Sequence, residues 1–320
     1  MYIPEKGRPP MKKVFIDGSA GTTGLRLWDR LSTREDLELI RLKESERKDP
    51  AARKQALNAC DIACLCLPDD AAREAVGLIE NEHVTVLDTS TAHRTAPGWV
   101  YGFPELGEAV AENIAQARRI AVPGCHASGF IALVAPLVQA GILPAGARLF
   151  CHSLTGYSGG GNKMIALYEQ GAHTPLLHAP RQYALTQKHK HLPEMQAVCT
   201  LTHAPVFCPV VSDFYSGMVV TVPLFAQDLV PGKTARDICA VYAATYTGPV
   251  VRYRATMDED GFLSAAGCSG KDAMEITVCG NAERIVLIAR YDNLGKGASG
   301  AALQCLNLVL GAEATAGLVL

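Results

Sequence analysis

The sequence predicts an α/β protein in two parts: a doubly wound parallel sheet, joined to an α+β domain with a mainly antiparallel sheet. Three observations predict it. Short apolar runs alternate with helix-period segments through the first third of the chain. A glycine-rich loop follows the first of those runs, and strand-like runs follow one another through much of the second half. Alternation implies parallel strands with right-handed crossovers, whereas successive strands favour antiparallel pairing.

Residues 12–17 (KKVFID) read as a buried strand, 18–24 (GSAGTTG) as a loop, and Leu25, Trp28 and Leu31 recur behind it at helical spacing. Residues 37–42 (LELIRL), 61–67 (DIACLCL, stopped by Pro68), 84–88 (VTVLD) and 119–122 read as further strands, with a helix over 69–80. The texture changes after Cys125. A helix-like run to Ala140 leads into 148–154 (RLFCHSL), a glycine cluster at 156–161 and a His- and Pro-rich stretch over 173–203. Strand-like runs follow at 218–225, 250–254, 275–279 and 285–291, and 300–310 is helical again.

The chain has 320 residues, enough for two domains. Hydrophobic residues make up 48% and charged ones 19%, a folded rather than disordered balance. A net charge of -2 argues against nucleic acid or an acidic membrane as a partner. No apolar run is long enough to span a bilayer, and the 1–10 leader lacks a signal-peptide core, so the expected location is cytoplasmic. The 11 cysteines are an odd number in a long chain and include no CxxC pair. Neither a disulfide scaffold nor a metal site is expected, and most thiols should be packing residues.

Gly18-Ser19-Ala20-Gly21-Thr22-Thr23-Gly24 lies between a strand and a helix. Glycines there permit a tight turn, and the helix N-terminus offers free N–H groups to a pyrophosphate. The spacing GxxGxxG departs from GxGxxG, but strand–loop–helix is the context that supports dinucleotide binding. Beyond the second strand, Lys43-Glu44-Ser45-Glu46-Arg47-Lys48 supplies cations and a hydroxyl where an acidic residue would hold a ribose 2′-hydroxyl. Lys43 and Ser45 therefore favour NADP(H), with Glu44 and Glu46 speaking for a solvated loop.

One cysteine stands apart. Cys125 follows Pro123-Gly124 and opens a helix, where the N-terminal dipole lowers a thiol's pKa and the free N–H groups can hold an oxyanion. A base for it is offered by Lys188-His189-Lys190-His191-Leu192-Pro193-Glu194: His191 is preferred, His189 is the alternative, and Glu194 can orient the base or bind substrate. Neighbouring lysines disfavour a metal at these histidines. Dinucleotide, thiolate and imidazole together suit reduction of an activated acyl group through a thioester.

These residues resemble a family, the shorter-form N-acetyl-γ-glutamyl-phosphate reductases of arginine biosynthesis, over nearly all the chain after the leader. The resemblance rests on the glycine loop, 87–94 (LDTSTAHR), 101–106 (YGFPEL), Pro123-Gly124-Cys125, 156–162 (GYSGGGN), 189–194 (HKHLPE) and 292–300 (DNLGKGASG). It implies a Rossmann-like nucleotide domain plus a catalytic domain of the semialdehyde dehydrogenase and glyceraldehyde-phosphate dehydrogenase kind. It implies NADPH-dependent reduction of an acyl phosphate to a semialdehyde with release of phosphate, and a homotetramer. Boundaries at 1–10, 11–124, 125–296 and 297–320 follow, the last segment returning to the nucleotide domain.

By the same resemblance Cys125 is the nucleophile, and His189 and His191 are the acid–base and substrate-holding groups. Ser158, Gly159 and Gly160, with Lys188 and Glu194, fall at the substrate, and Ser90, Asn293, Lys296 and Gly297 at the cofactor. His126 and Ser128 depart from the family pattern, an aromatic residue and a threonine being usual there. Arg94, Lys163, Arg181 and Lys188 are candidates for holding the substrate's anionic groups, and Tyr157 and Tyr183 for lining its pocket. The alternatives are an aspartate-semialdehyde dehydrogenase-like reductase, disfavoured by the HKHLPE segment, and a non-catalytic NADP-binding regulatory module, disfavoured by Cys125.

Overall fold

The computed structural model describes residues 11–170 and 174–320. The leader, and His173 at the start of the His- and Pro-rich stretch, lie outside the described residues. The nucleotide-side half runs β1 (Lys12–Asp17), α1 (Thr22–Leu31), β2 (Leu37–Ile40), α2 (Pro50–Ala59), β3 (Ile62–Leu65), α3 (Asp69–Gly77), β4 (Thr85–Asp88), β5 (Val100–Tyr101), α4 (Glu108–Gln116) and β6 (Arg119–Ala121). Its six strands form one sheet in the order β2-β1-β3-β4-β6-β5, every pairing parallel. The chain steps out from β1 to β2 and returns to β3 on the other side, which opens a crevice beyond the carboxyl ends of β1 and β3.

The strands read from the sequence as apolar runs all form: β1 keeps the expected bounds, while β2, β3, β4 and β6 are one to three residues shorter than read. In α1 the inward positions are Gly24, Leu27 and Leu31, while Leu25 is exposed. Trp28 is half-buried against the same core, as its spacing predicts, and also flanks the crevice under the guanidinium of Arg41, 5.3 Å from its ring. Helices α2 and α4 lack a strong apolar stripe and were not anticipated; packing on the sheet supplies what their pattern lacks.

Helix α5 (Cys125–Gln139) begins the second half and is buried along nearly its whole length. There follow β7 (Phe150–Gly156), α6 (Gly161–Glu169), α7 (Pro175–His178), β8 (Arg181–Gln182), α8 (Leu192–Val198), β9 (Val206–Ser212), β10 (Met218–Phe225), α9 (Ala235–Thr245), β11 (Val251–Tyr253), β12 (Met274–Gly280), β13 (Arg284–Tyr291) and α10 (Gly300–Val309). The second sheet has the order β11-β12-β13-β10-β7-β9-β8. Four of its pairings are antiparallel, while β11–β12 and β7–β9 are parallel, so it is mixed with an antiparallel majority.

One face of this sheet, including Phe207, Val220, Val222, Leu287 and Ala289, packs with α5 and α9 in a single apolar core. The other face carries Phe150, Val206 and Phe225 at 56%, 46% and 56% exposure. Helix α10 buries Ala301, Ala302, Leu303, Cys305 and Leu306 against the nucleotide-side core with Val14, Leu27 and Ile120. No helix among the described residues is long and apolar enough to cross a membrane.

Candidate active site

The glycine loop is shaped by backbone approach. Gly18 has φ +87, and a Cβ there would be driven into the carbonyl oxygen of Cys66 at the end of β3. A Cβ on Gly24 would strike the Gly18 carbonyl, so this third glycine lets α1 close on the loop rather than touching a ligand itself. Two cavities meet the loop. One, of about 600 Å³, is bounded by Gly18, Ser19, Ala20, Trp28, Arg41, Ser45, Arg47 and Lys48. The other, of about 580 Å³, takes in Gly21, Thr22 and Thr23. Between them the cavities take in the loop from Gly18 to Thr23, at the start of α1, whose N–H groups suit a pyrophosphate, so the residues present fit a dinucleotide.

Lys43 does not join them. It precedes the 44–46 turn and its exposed side chain runs toward Glu46, 3.8 Å away. Arg47 and Lys48 line the cavity in its place.

The second cavity brings together the residues singled out for catalysis. Pro123 and Gly124 lead out of β6, and Gly124 caps the N-terminus of α5 with Cys125 as its first residue. A Cβ on Gly124 would lie within 2.6 Å of Glu194 Oε1 and His191 Nε2 and closer still to Arg94 Nη1. Only glycine therefore admits this charged cluster beside the cysteine. Arg94 donates to Glu194 at 2.6 Å and to the carbonyls of Val122 and Thr89, each at 2.9 Å. Glu194 also accepts from the Tyr101 hydroxyl at 2.7 Å and the Gly124 N–H at 3.1 Å. Its oxygens are thus turned inward onto protein groups, off the cavity wall, and it is 1% exposed.

His191 and His189 both line the cavity with Cys125. The His191 N–H donates to His189 Nδ1 at 3.2 Å, leaving the proton of a neutral His189 on Nε2. His191 Nε2 stands 3.9 Å from Glu194, and its Nδ1 is buried without a partner. Burial, then the Arg94 charge, hold His191 well below the usual imidazole range; burial and Lys190 bring His189 down to about 4.

Burial also dominates at Cys125, pushing the thiol up to about 11 against the lowering effect of Arg94 and the His126 N–H. The lowering expected from the helix N-terminus is therefore outweighed. The resting site holds a neutral thiol beside a neutral imidazole.

Ser158, Gly159 and Gly160 line the same cavity, as do Ser90, Asn293 and Gly297. Asn293 donates to Ser158 Oγ at 3.0 Å and accepts from the Gly217 N–H at 2.9 Å, so its amide holds the glycine-cluster loop in place. A Cβ on Gly297 would meet the Cys125 Cβ at 3.1 Å. Thr22 Oγ1 donates to Asn162 Oδ1 at 3.0 Å, tying the two glycine-rich loops together across the cleft.

Several expected residues fall elsewhere. The turn at Gly295–Ser299 directs Lys296 into the interior, where Nζ meets Glu105 at 2.7 Å and Gln304 at 2.6 Å; it is 1% exposed and borders neither cavity. Lys188 is exposed outside the cavity, whose wall includes Lys190 instead. Arg181 donates to Tyr168, and Lys163 points to solvent. Tyr157 stacks on Tyr168 at 4.6 Å, whereas Tyr183 lines the cavity. Sequence reasoning gave no site role to Trp28 or Arg41, which carry no local signal, nor to Asn162, although it ends the 156–162 segment on which the resemblance rests.

Among the described residues no group of three or more possible ligands is arranged to hold a metal. All eleven cysteines are free. Cys279 is exposed and Cys66 lines the catalytic cavity, so the thiols other than Cys125 are not uniformly packing residues.

A nucleotide crevice opening beside a thiol at a helix start, on these two sheets, defines a semialdehyde dehydrogenase. Residues 13–117 match the family described as "Semialdehyde dehydrogenase, NAD binding domain", and residues 125–293 match "Semialdehyde dehydrogenase, dimerisation domain". Within that class the chain belongs to the N-acetyl-γ-glutamyl-phosphate reductases. It is 47% identical over 307 residues to the protein of that name from Rhizobium meliloti (strain 1021), covering 94% of this chain and 99% of that one. The Brucella ovis protein of that name is 45% identical over 306 residues, with 93% and 99% covered.

Similar solved structures include aspartate semialdehyde dehydrogenase II from Vibrio cholerae, at a TM-score of 0.71 and 17% identity, covering 94% of this chain and 99% of that one. The Candida albicans aspartate semialdehyde dehydrogenase with NADP aligns at 0.64 and 14% identity, with 95% and 99% covered. At such identities the likeness is one of fold.

Proposed function

We propose that the protein catalyses the reversible NADPH-dependent reduction of N-acetyl-γ-glutamyl phosphate to N-acetylglutamate semialdehyde and phosphate. One observation carries the reading: Cys125, His189, His191, the 158–160 loop and the first turn of α1 all border a single cavity. Relatives at 45–47% identity that bear the reductase name support the substrate.

When bound, the dinucleotide supplies or accepts a hydride at the carbon attached to Cys125. Arg47 and Lys48, rather than Lys43, offer charge to a 2′-phosphate and support NADP(H) over NAD(H). Gly21, Thr22 and Thr23 would hold the pyrophosphate on the N-terminus of α1. His191 accepts the thiol proton as sulfur attacks the acyl carbon, since both groups rest neutral. The N–H groups opening α5 hold the oxyanion, and collapse expels phosphate to leave a thioester on Cys125. His189, with its proton on Nε2, donates toward substrate oxygen. Hydride from the dinucleotide would leave a thiohemiacetal oxyanion whose collapse would free the aldehyde; the His191 imidazolium would return the thiol's proton to sulfur, and the released phosphate would take its proton from solvent.

The wider reading assigns residues 11–124 to NADP, 125–296 to catalysis and assembly, and 297–320 to a return onto the nucleotide side. The eleven free thiols support a reducing, cytoplasmic setting. The exposed apolar sheet face of Phe150, Val206 and Phe225 supports a homo-oligomer, in the finer reading a tetramer.

Purified protein should oxidise N-acetylglutamate semialdehyde with NADP and phosphate, and Cys125→Ser should abolish turnover while leaving NADPH binding intact. Turnover of aspartate semialdehyde alone would refute the substrate, and full activity of Cys125→Ser would refute the mechanism.

A further inference from the structure

His126, the residue after Cys125, is 3% exposed and held at both ring nitrogens. Its Nδ1 lies 2.7 Å from Ser153 Oγ, and its Nε2 lies 2.6 Å from the Tyr183 hydroxyl. The ring is packed edge-on against Phe207 and His189, at 5.3 and 5.7 Å between centroids. His126 and Tyr183 both line the catalytic cavity. We propose that His126 fixes the Tyr183 hydroxyl as a hydrogen-bond donor aimed into that cavity, making Tyr183 a substrate-binding residue and His126 its positioning residue.

The direction follows from counting protons. Ser153 is 0% exposed, and among the described residues His126 is the one hydrogen-bond partner its hydroxyl has. Were Nδ1 to carry the imidazole proton, the Ser153 O–H would be a buried donor with no acceptor, a costly arrangement. The hydroxyl therefore donates to Nδ1, which puts the ring proton on Nε2. Nε2–H then donates to the Tyr183 oxygen, and the phenol's own proton is left to point into the open cavity. Burial keeps His126 neutral, down to about 3, so this order persists across the working pH range. The same burial raises the Tyr183 phenol, which stays protonated.

A ligand that satisfies this donor must present an oxygen acceptor. On the functional reading above, on which this part rests, that oxygen belongs to the reacting carbonyl or to the remote amide or carboxylate of the substrate.

The experiment has two arms. In the first, histidine-selective ¹⁵N NMR of the unmodified protein assigns the His126 tautomer between pH 6 and 9. The Nε2–H form is expected, and the Nδ1–H form overturns the proposal whatever the enzyme's substrate. In the second, Tyr183→Phe, His126→Phe and the double variant are assayed with N-acetylglutamate semialdehyde.

Tyr183→Phe is expected to lower kcat/KM by about 10–100-fold, the range of a hydrogen bond to a charged or developing charge. A fall in kcat would place the oxygen at the reacting carbon, and a rise in KM would place it on the remote group. The double variant should be no worse than Tyr183→Phe alone, because His126 acts through the tyrosine. His126→Gln, whose amide can still donate, should recover part of the loss. The rate of Cys125 alkylation should not change. Unaltered kcat/KM in Tyr183→Phe, or fully additive losses, overturns the proposal. Absence of any reductase activity counts against the functional reading and leaves the tautomer measurement to decide this one.

Discussion

At the scale of single residues, the balance between helix dipole and burial at Cys125 sets the chemistry. A partial positive charge at the start of α5 and the Arg94 guanidinium both favour thiolate, yet desolvation outweighs them and carries the thiol up to about 11. On the proposed mechanism, attack by sulfur is then coupled to proton removal by His191, with no preformed thiolate–imidazolium pair. The free enzyme's alkylation by iodoacetamide at Cys125 should climb about tenfold per pH unit from 7 to 10. A plateau near pH 6, read by mass spectrometry of the modified peptide, would reveal a preformed ion pair instead.

The buried imidazoles make a second prediction at this scale. Free histidine titrates near 6.5, while burial, the first cause in each case, holds His126 near 3 and His189 near 4. Between those values the unfolded chain binds more protons than the folded one, so stability is lost as pH falls below about 6.5. For a fully buried ring the slope is about 1.4 kcal/mol per pH unit. Tm measured from pH 7 to 4 should fall, and His126→Phe should make the fall shallower.

At the scale of elements, the start of α5 depends on one glycine. Arg94 reaches it from the loop after β4, and Glu194 and His191 from the start of α8, all crowding the space where a side chain on Gly124 would lie. The buried Arg94–Glu194 pair ties α8 to the backbone just after β6, which places His191 on the same cavity wall as Cys125. Gly124→Ala should displace that cluster and lower kcat at least about 100-fold, since a shift of about 1 Å in a reacting group costs that much. NADPH affinity, measured by fluorescence titration, should stay unchanged because the first turn of α1 is untouched. Loss of both together would mean that the substitution unfolds the sheet rather than misaligning the site.

For the whole molecule, the mixed sheet turns one face to α5 and α9 and leaves the other open. Alternation along β7, β9 and β10 places Phe150, Val206 and Phe225 on that open face, with the register setting Phe150 beside Val206. On the proposed assembly a second copy covers this face, which otherwise leaves exposed aromatics that promote aggregation. Phe150→Asp combined with Phe225→Asp should reduce the assembled mass in light scattering while the circular dichroism spectrum is retained. An unchanged mass would move the interface elsewhere.

Much of this was legible in the residue order. Apolar runs such as Val14–Ile16 and Val220–Val222 marked strands because neighbouring side chains must be apolar wherever both sheet faces are covered or alternate where one is. The glycine loop and Pro123-Gly124-Cys125 marked sites because their backbone constraints are local. Helices α2 and α4 were missed because their stability comes from the sheet beneath them and not from their own periodicity.

The sequence by itself determined the two-part α/β architecture and most of its strands, and it singled out Cys125, His189 and His191 as candidates, because these readings depend on residues close along the chain. Only the tertiary structure decided that Lys296 is an interior cation paired with Glu105, that Arg47 and Lys48 replace Lys43, and that Glu194 serves Arg94 rather than substrate. It also decided that burial at Cys125 outweighs the pull of the helix N-terminus on the thiol. A side chain's charge partner and its distance from water are set by segments far apart in sequence, and no local pattern encodes them.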